Sequence, residues 1–154
     1  MSLLTIDNPV FVTYTVAGAI MILKLMGQGW MTVYRMLKAD AGWATPEDMR
    51  SGLINRNPRV GQLDPNDYVE RSRRIHRNDL ENIPAFLACG LLFVAVAPPY
   101  LLANILMFGF VGARLLHTVA YATEQSHEVR ATLYTIASVA VIVMAVYVLV
   151  AVVS

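Results

Sequence analysis

The sequence predicts an all-α integral membrane protein, a bundle of four transmembrane helices, and three observations carry that expectation. Hydrophobic residues make up 56% of the 154 positions and charged residues only 15%, against roughly 25% charged in ordinary soluble domains. Four apolar runs of helical length follow one another at about 9–38, 67–97, 100–123 and 128–153. The last of these, from Ala131 onward, holds no charged side chain over more than twenty residues, enough to cross a bilayer. The chain is one domain's worth of sequence, 1–154, with a polar connection over 39–66. A net charge of +1 argues against nucleic acid as a partner, which demands a strongly basic face. The one cysteine, Cys89, lies in an apolar run, so no intramolecular disulfide can form. The N-terminus has neither the basic stretch nor the small-residue cleavage site of a secretory signal, so the first apolar run is expected to stay.

Taken in order, Asn8 is placed to cap the first helix, with Pro9 at its first position. The run to Trp30 carries one charge, Lys24, which shares a face with Arg35 eleven residues on. Gly27 and Gly29 soften its middle or allow close packing. In the connection, Thr45 before Pro46, with Asp48 three residues after Thr45, reads as a short capped helix. Asp64 or Asn66 caps the second helix. Its first half, V-E-R-S-R-R-I-H-R-N-D-L-E-N over 69–82, is ionic, and its second half is apolar. Pro84 clashes with the Leu80 carbonyl and predicts a kink where charge gives way to apolar sequence. Pro98-Pro99 ends the helix and forces a tight hairpin into the third, which carries Asn104, Arg114 and His117. The fourth starts near His127 or Glu128. Ten of the twelve Lys and Arg lie from Lys24 to Arg77. The positive-inside rule therefore puts the connection and the 124–128 loop in the cytoplasm, with both termini on the far side.

The ionic half of the second helix is the candidate site. Glu70, Arg74, Arg77, Asn78 and Glu81 fall at i, i+4, i+7, i+8 and i+11 on one helical face, with Glu70 and Arg74 oriented for an ion pair. A helix over 69–97 is about 43 Å long, against ~30 Å of hydrocarbon. Its ionic half therefore starts outside the membrane and brings Arg77, Asn78 and Glu81 to the boundary. A charge at mid-membrane costs on the order of 2.5–3.5 kcal/mol, so such a stripe is stable only against other helices, water or a ligand. Arg114, His117 and Tyr121 recur at i, i+3 and i+7 on the third helix, and Arg130 and Tyr134 at i and i+4 on the fourth. The ligand that fits these groups is small and mostly anionic, with one cationic group for Glu81 and a hydrophobic partner arriving from the lipid.

Structural roles compete for the same residues. Arg71 and Arg73 suit lipid headgroups, His76 a helix interface, and Asn104 interhelical hydrogen bonding. The tyrosines of the fourth helix suit the membrane interface. Arg114 either joins the site or neutralises Glu81 inside the bundle, and Lys24 either snorkels or pairs with a neighbouring helix. No Cys/His cluster and no carboxylates at ligand spacing point to a metal.

The segments E-R-S-R-R-I-H-R-N-D-L-E-N-I and G-A-R-L-L-H-T-V-A-Y, with A-T-P-E-D in the connection, resemble the MAPEG family, the membrane-associated proteins of eicosanoid and glutathione metabolism. Within it they are similar to the branch of microsomal glutathione transferases and microsomal prostaglandin E synthases, over most of residues 24–134. The resemblance implies a homotrimer of four-helix subunits, with glutathione bound as cosubstrate between neighbours at the cytoplasmic end. Carried over by position, it implies that Arg74, Arg77, Asn78 and Glu81 bind glutathione from the second helix, His117 and Tyr121 from the third, and Tyr134 from the fourth. Arg130 stands at the thiol as the catalytic group. Arg35 matches an arginine supplied by the neighbouring subunit, Asp48 a loop aspartate associated with prostaglandin synthesis, and Arg114 is a further accessory candidate.

Two positions depart from the family. Where its prostaglandin synthases carry a serine this chain has Ala131, and where its animal glutathione transferases carry a cysteine it has Met49. The implied function is glutathione conjugation of hydrophobic electrophiles, with reduction of lipid hydroperoxides, in detoxification. Ala131 weakens the alternative within the family, isomerisation of prostaglandin H2; Met49 leaves transferase chemistry intact. A non-catalytic lipid-presenting membrane protein is the rival from another class, opposed by the full stripe together with Arg130. The expected membrane is the endoplasmic reticulum in a eukaryote and the inner membrane in a bacterium.

Overall fold

A computed structural model describes residues 3–154. It contains four long helices, α1 (Pro9–Ala39), α2 (Asp67–Ala95), α3 (Tyr100–Ala122) and α4 (His127–Val153), with single 3-10 turns at Pro46–Met49 and Val60–Leu63 between α1 and α2. Helices α1, α3 and α4, of 31, 23 and 27 residues, are long and apolar enough to cross a membrane. The 29-residue α2 does not meet that criterion, because its first half carries the charges described above.

Local chemistry sets the helix ends. Asn8 Oδ1 accepts from the Val10 N–H at 3.0 Å, Asn66 Oδ1 from Tyr68 at 3.1 Å, and Ser126 Oγ from Val129 at 3.4 Å. Each satisfies a donor that the first helical turn leaves orphaned. Just beyond α1, α2 and α3 the chain passes through left-handed residues, Asp40, Ala97 and Glu124, with φ of 47°, 48° and 60°; that conformation stops a helix. Pro84 lies inside α2 without ending it.

The chain divides into two compact units, residues 3–25 with 78–154, and residues 26–77. In the first, α3 and α4 pack as a hairpin, and with parts of α1 and α2 they bury one apolar core. Phe86 stacks on Phe110 with ring centroids 4.1 Å apart, and Phe93 meets Tyr147 edge-on at 5.2 Å. Met21, Ile83, Met107 and Met144 are fully buried in the same cluster. The outer face is apolar too: Leu23, Leu101, Ile105 and Leu116 are mostly exposed, as a lipid-facing surface should be. Gly90 permits the approach of α1, because an added Cβ there would fall 2.8 Å from the Tyr14 ring. That ring is held, since its hydroxyl donates to the Leu87 carbonyl at 2.9 Å.

The second unit is joined by polar contacts. Buried Gln28 donates from Nε2 to Ser72 Oγ at 2.8 Å, and Thr32 Oγ1 donates to the same oxygen at 2.9 Å. Gly29 lies beside the His76 ring, where a Cβ would come within 3.8 Å, whereas a Cβ on Gly27 would meet nothing within 4 Å. Gly42 needs to be glycine twice over, for its φ of +70° and for a clearance of 3.1 Å from Val69. The connection is pinned by two buried amides. Asn55 Nδ2 donates to Gln62 Oε1 at 2.8 Å and to the Asp48 carbonyl at 3.1 Å. Gln62 Nε2 bonds Asp40, which also pairs with Arg59.

Replacing Gly90→Ala should lower stability by about 1–3 kcal/mol, the range for overpacking a well-filled interior. A thermal melt of the detergent-solubilised protein measures it; an unchanged midpoint would mean that the Tyr14 ring has room to move.

Candidate functional site

Three charges meet inside the first unit. Asp79 is fully buried, and its two oxygens are shared out: Oδ2 to Lys24 Nζ at 2.5 Å, and Oδ1 to Arg114 Nη2 at 2.5 Å. Arg114 is fully buried and the Lys24 side chain is 8% exposed. Of the two roles open to Lys24, the structure takes pairing with a neighbouring helix. For Arg114 it corrects the proposed partner: the guanidinium neutralises Asp79, not Glu81. The reason is helical phase. Asp79 stands four and seven residues before Ile83 and Phe86, both fully buried, so it faces the core, and a core-facing carboxylate must draw cations to itself. Asp79 lies off the polar stripe, and its spacing to Ile83 and Phe86 is the sequence signal that marks it as a core residue.

Arg114 also reaches Asn78. Its Nη1 donates to Asn78 Oδ1 at 2.7 Å. A guanidinium has donors and no acceptor, so the amide oxygen must face Arg114 and the amide NH2 must turn away. Asn78 therefore offers a ligand a hydrogen-bond donor. Glu81, on the next turn, is exposed and has no ion-pair or hydrogen-bond partner among the described residues.

Toward the other end of α3, three more of the expected residues form a contiguous group. The buried His117 ring meets Tyr121 edge-on at 5.0 Å. The Arg130 guanidinium lies over the Tyr121 ring at 4.6 Å, and its Nε donates to the Ser126 carbonyl at 3.4 Å. Arg130 makes no ion pair among the described residues. His117 Nδ1 and Arg114 Nε are both buried without a hydrogen-bond partner, which is unusual for polar atoms cut off from water. Tyr134 is 40% exposed. This group can bind an anion at a cation that carries no carboxylate of its own.

In the second unit the expected residues are engaged locally, with one exception. Arg77 is exposed and unpaired among the described residues. Arg74 and Arg71 each reach one oxygen of Asp67 at 3.0 Å; the hydrogen bonds from Arg74 and then Arg71 hold its carboxyl below the usual range. The anticipated Glu70–Arg74 pair is absent. Glu70 pairs instead with Arg73, whose guanidinium also donates to the Gly42 carbonyl at 2.5 Å, while the two-armed pull of Asp67 takes Arg74 a turn further back. Arg35 lies 4.5 Å over the Tyr68 ring and donates from Nη1 to the Tyr68 carbonyl at 3.1 Å. Asp48 caps its turn, Oδ2 accepting from the N–H groups of Ala44 and Thr45 at 3.2 and 3.0 Å.

The MAPEG family profile matches residues 13–150. Similar proteins include the microsomal glutathione S-transferase 1 of Sus scrofa, 40% identical over 117 residues, covering 75% of this chain and 74% of the relative. The same enzyme of Rattus norvegicus is 38% identical over 117 residues, with 76% and 74% covered. The prostaglandin E synthase of Macaca fascicularis is 30% identical over 146 residues, covering 95% of this chain and 92% of that protein.

Asp79→Asn should cost about 3–5 kcal/mol, because it leaves Arg114 and Lys24 buried without a counter-charge. Lys24→Met should be tolerated, since it leaves one guanidinium against one carboxylate. Paired thermal melts test this; equal losses for the two variants would show that the three charges do not act as one neutralising group.

Proposed function

The chain belongs to the MAPEG family, and on that premise we propose that it is a glutathione S-transferase, acting as a homotrimer on hydrophobic electrophiles and lipid hydroperoxides. With three helices fit to cross a bilayer, it is an integral membrane protein. In this reading the apolar half of α2 supplies a fourth span, the charged ends face the cytoplasm, and the whole chain is one membrane domain. Relatives named as microsomal support the endoplasmic reticulum as the membrane in a eukaryote.

The observation that carries the proposal is Arg130, a cation seated on Tyr121 with no carboxylate partner among the described residues. Glutathione brings two carboxylates, one ammonium and a thiol. Glu81 suits the ammonium, the Asn78 amide NH2 a carbonyl or carboxylate oxygen, and Arg74, Arg77 and Arg35 the carboxylates; His117, Tyr121 and Tyr134 are the further contacts this reading expects. Arg74 must then leave Asp67 for the ligand, a small cost for an exposed ion pair. A thiol of pKa ~8.5 is only a few per cent ionised at neutral pH. Lowering it to about 6.5 takes roughly 2.7 kcal/mol of preferential anion binding. One charge-assisted hydrogen bond supplies about 1.5–3 kcal/mol, so a single guanidinium suffices. The thiolate then attacks an electrophilic carbon, forming the C–S bond as the leaving group departs with its electron pair. With a hydroperoxide it takes the distal oxygen, releasing an alcohol and a sulfenic acid that a second glutathione converts to disulfide and water.

Prostaglandin H2 isomerisation is the second reading, favoured by the alignment with a prostaglandin E synthase over 95% of this chain. Against it, Ala131 has no hydroxyl with which to serve that rearrangement.

Arg130→Leu should raise the bound thiol's pKa and cut turnover roughly 100-fold, the equivalent of ~2.7 kcal/mol, with glutathione affinity changing less. The ultraviolet thiolate signal followed against pH, beside turnover, measures both; an unshifted titration with normal turnover would reduce Arg130 to a membrane anchor.

The unmodified protein should convert prostaglandin H2 to its E2 isomer weakly or not at all while conjugating a chlorinated aromatic. A substrate panel in detergent decides the matter, and robust isomerisation would reverse the order of the two readings.

A further inference from the structure

The connection between α1 and α2 carries an apolar point that the glutathione reading does not use. The backbone closes over residues 52–55, where the Gly52 N–H donates to the Asn55 carbonyl at 2.9 Å. Leu53 and Ile54, between them, are 91% and 69% exposed, and nearby Val60 is 85% exposed. Loop tips ordinarily carry Gly, Pro, Asn, Asp or Ser, so two aliphatic side chains at this place need a reason. The tip is presented by a fixed base: Asn55 and Gln62 are buried and hydrogen-bonded to each other, and Asn55 also to the Asp48 carbonyl. Residues 50–60 contain three arginines and no acid. Arg59 is occupied by Asp40; Arg50 and Arg56 are exposed and pair with no carboxylate among the described residues.

We propose that this loop is a membrane-surface anchor, with Leu53 and Ile54 entering the boundary between headgroups and acyl chains while Arg50 and Arg56 bind anionic phospholipid. Apolar side chains flanked by basic ones are the chemistry of segments that lie in such an interface. The connection also joins a membrane-crossing helix to the next helix, so a bilayer is always within reach and even a weak contact is populated through high effective concentration. A second copy of the chain is the competing occupant, but it would have to bring carboxylates to both arginines, whereas an anionic bilayer offers phosphates at every approach.

The test places a nitroxide on Leu53→Cys in a Cys89→Ala background, using the full-length protein in vesicles of phosphatidylcholine, with or without phosphatidylserine. Leu53 makes no packing that the label disturbs. Collision with oxygen, which concentrates in lipid, is compared with collision with a water-soluble nickel chelate. The label should favour oxygen in the phosphatidylserine vesicles and nickel in phosphatidylcholine alone. Adding Arg50→Gln and Arg56→Gln should lower the ratio of inserted to withdrawn tip about 30-fold, from ~1 kcal/mol per arginine. A label that meets nickel equally in both lipids overturns the proposal. So does one shielded from both reagents in either lipid and in detergent, which marks contact with a second copy. Insertion that ignores both phosphatidylserine and the arginines overturns the assignment to anionic lipid.

Discussion

Asp79 is a carboxylate without solvent, set in an apolar helical bundle, and the arrangement of the first unit follows from what it requires. An ion taken out of water loses several kcal/mol of hydration even after its surroundings relax. Asp79 recovers that loss by dividing its oxygens between Lys24 on α1 and Arg114 on α3. The contact fixes three helices in register at one point, since no neighbouring side chain on either helix can substitute for its charged partner. Replacing such a group by apolar residues is often neutral or stabilising, so its value lies in specifying one arrangement. Two cations against one anion leave the cluster with a positive charge, and Arg114 passes part of its hydrogen bonding on to Asn78.

The helices were legible because their ends are marked by residues whose chemistry is local. Asn8 and Asn66 cap as their positions imply, and an apolar run between caps has few alternatives to a helix. The side-chain partners were less legible. Glu70 was equally spaced to reach Arg73 or Arg74, and the choice fell to a backbone carbonyl, that of Gly42, more than thirty residues away in sequence. Arg114 is a buried cation needing an acid; the polar stripe of α2 offers Glu81, whereas the core face of the same helix holds Asp79. Spacing separates the two: Glu81 is out of phase with Ile83 and Phe86, and Asp79 is in phase with both.

That phase difference sorts the polar residues of α2 into two kinds. On the core face Asp79 is satisfied by its two cations and Ser72 by Gln28 and Thr32. Glu81 and Arg77 are exposed and make no hydrogen bond or ion pair among the described residues. In a membrane protein such a carboxylate and guanidinium are stable only where water, another subunit or a charged ligand meets them. A ligand carrying both signs of charge could satisfy both residues, which neither lipid tails nor a simple anion can do.

The seat of Arg130 explains how a cation can be held in place without losing its use. A carboxylate partner would fix the guanidinium just as well, but it would cancel most of the positive field that the group presents to an anion. The Tyr121 ring holds it through the negative face of its π-system, a contact worth about 0.5–2 kcal/mol that leaves the net charge intact. The Ser126 carbonyl takes one of the five donors and leaves the rest of the fork free. Because a guanidinium keeps its proton throughout the physiological range, its support for an anion does not depend on pH. In this chain the buried cations Lys24 and Arg114 are drawn to Asp79, whereas Arg130 rests on an aromatic face and makes no ion pair among the described residues.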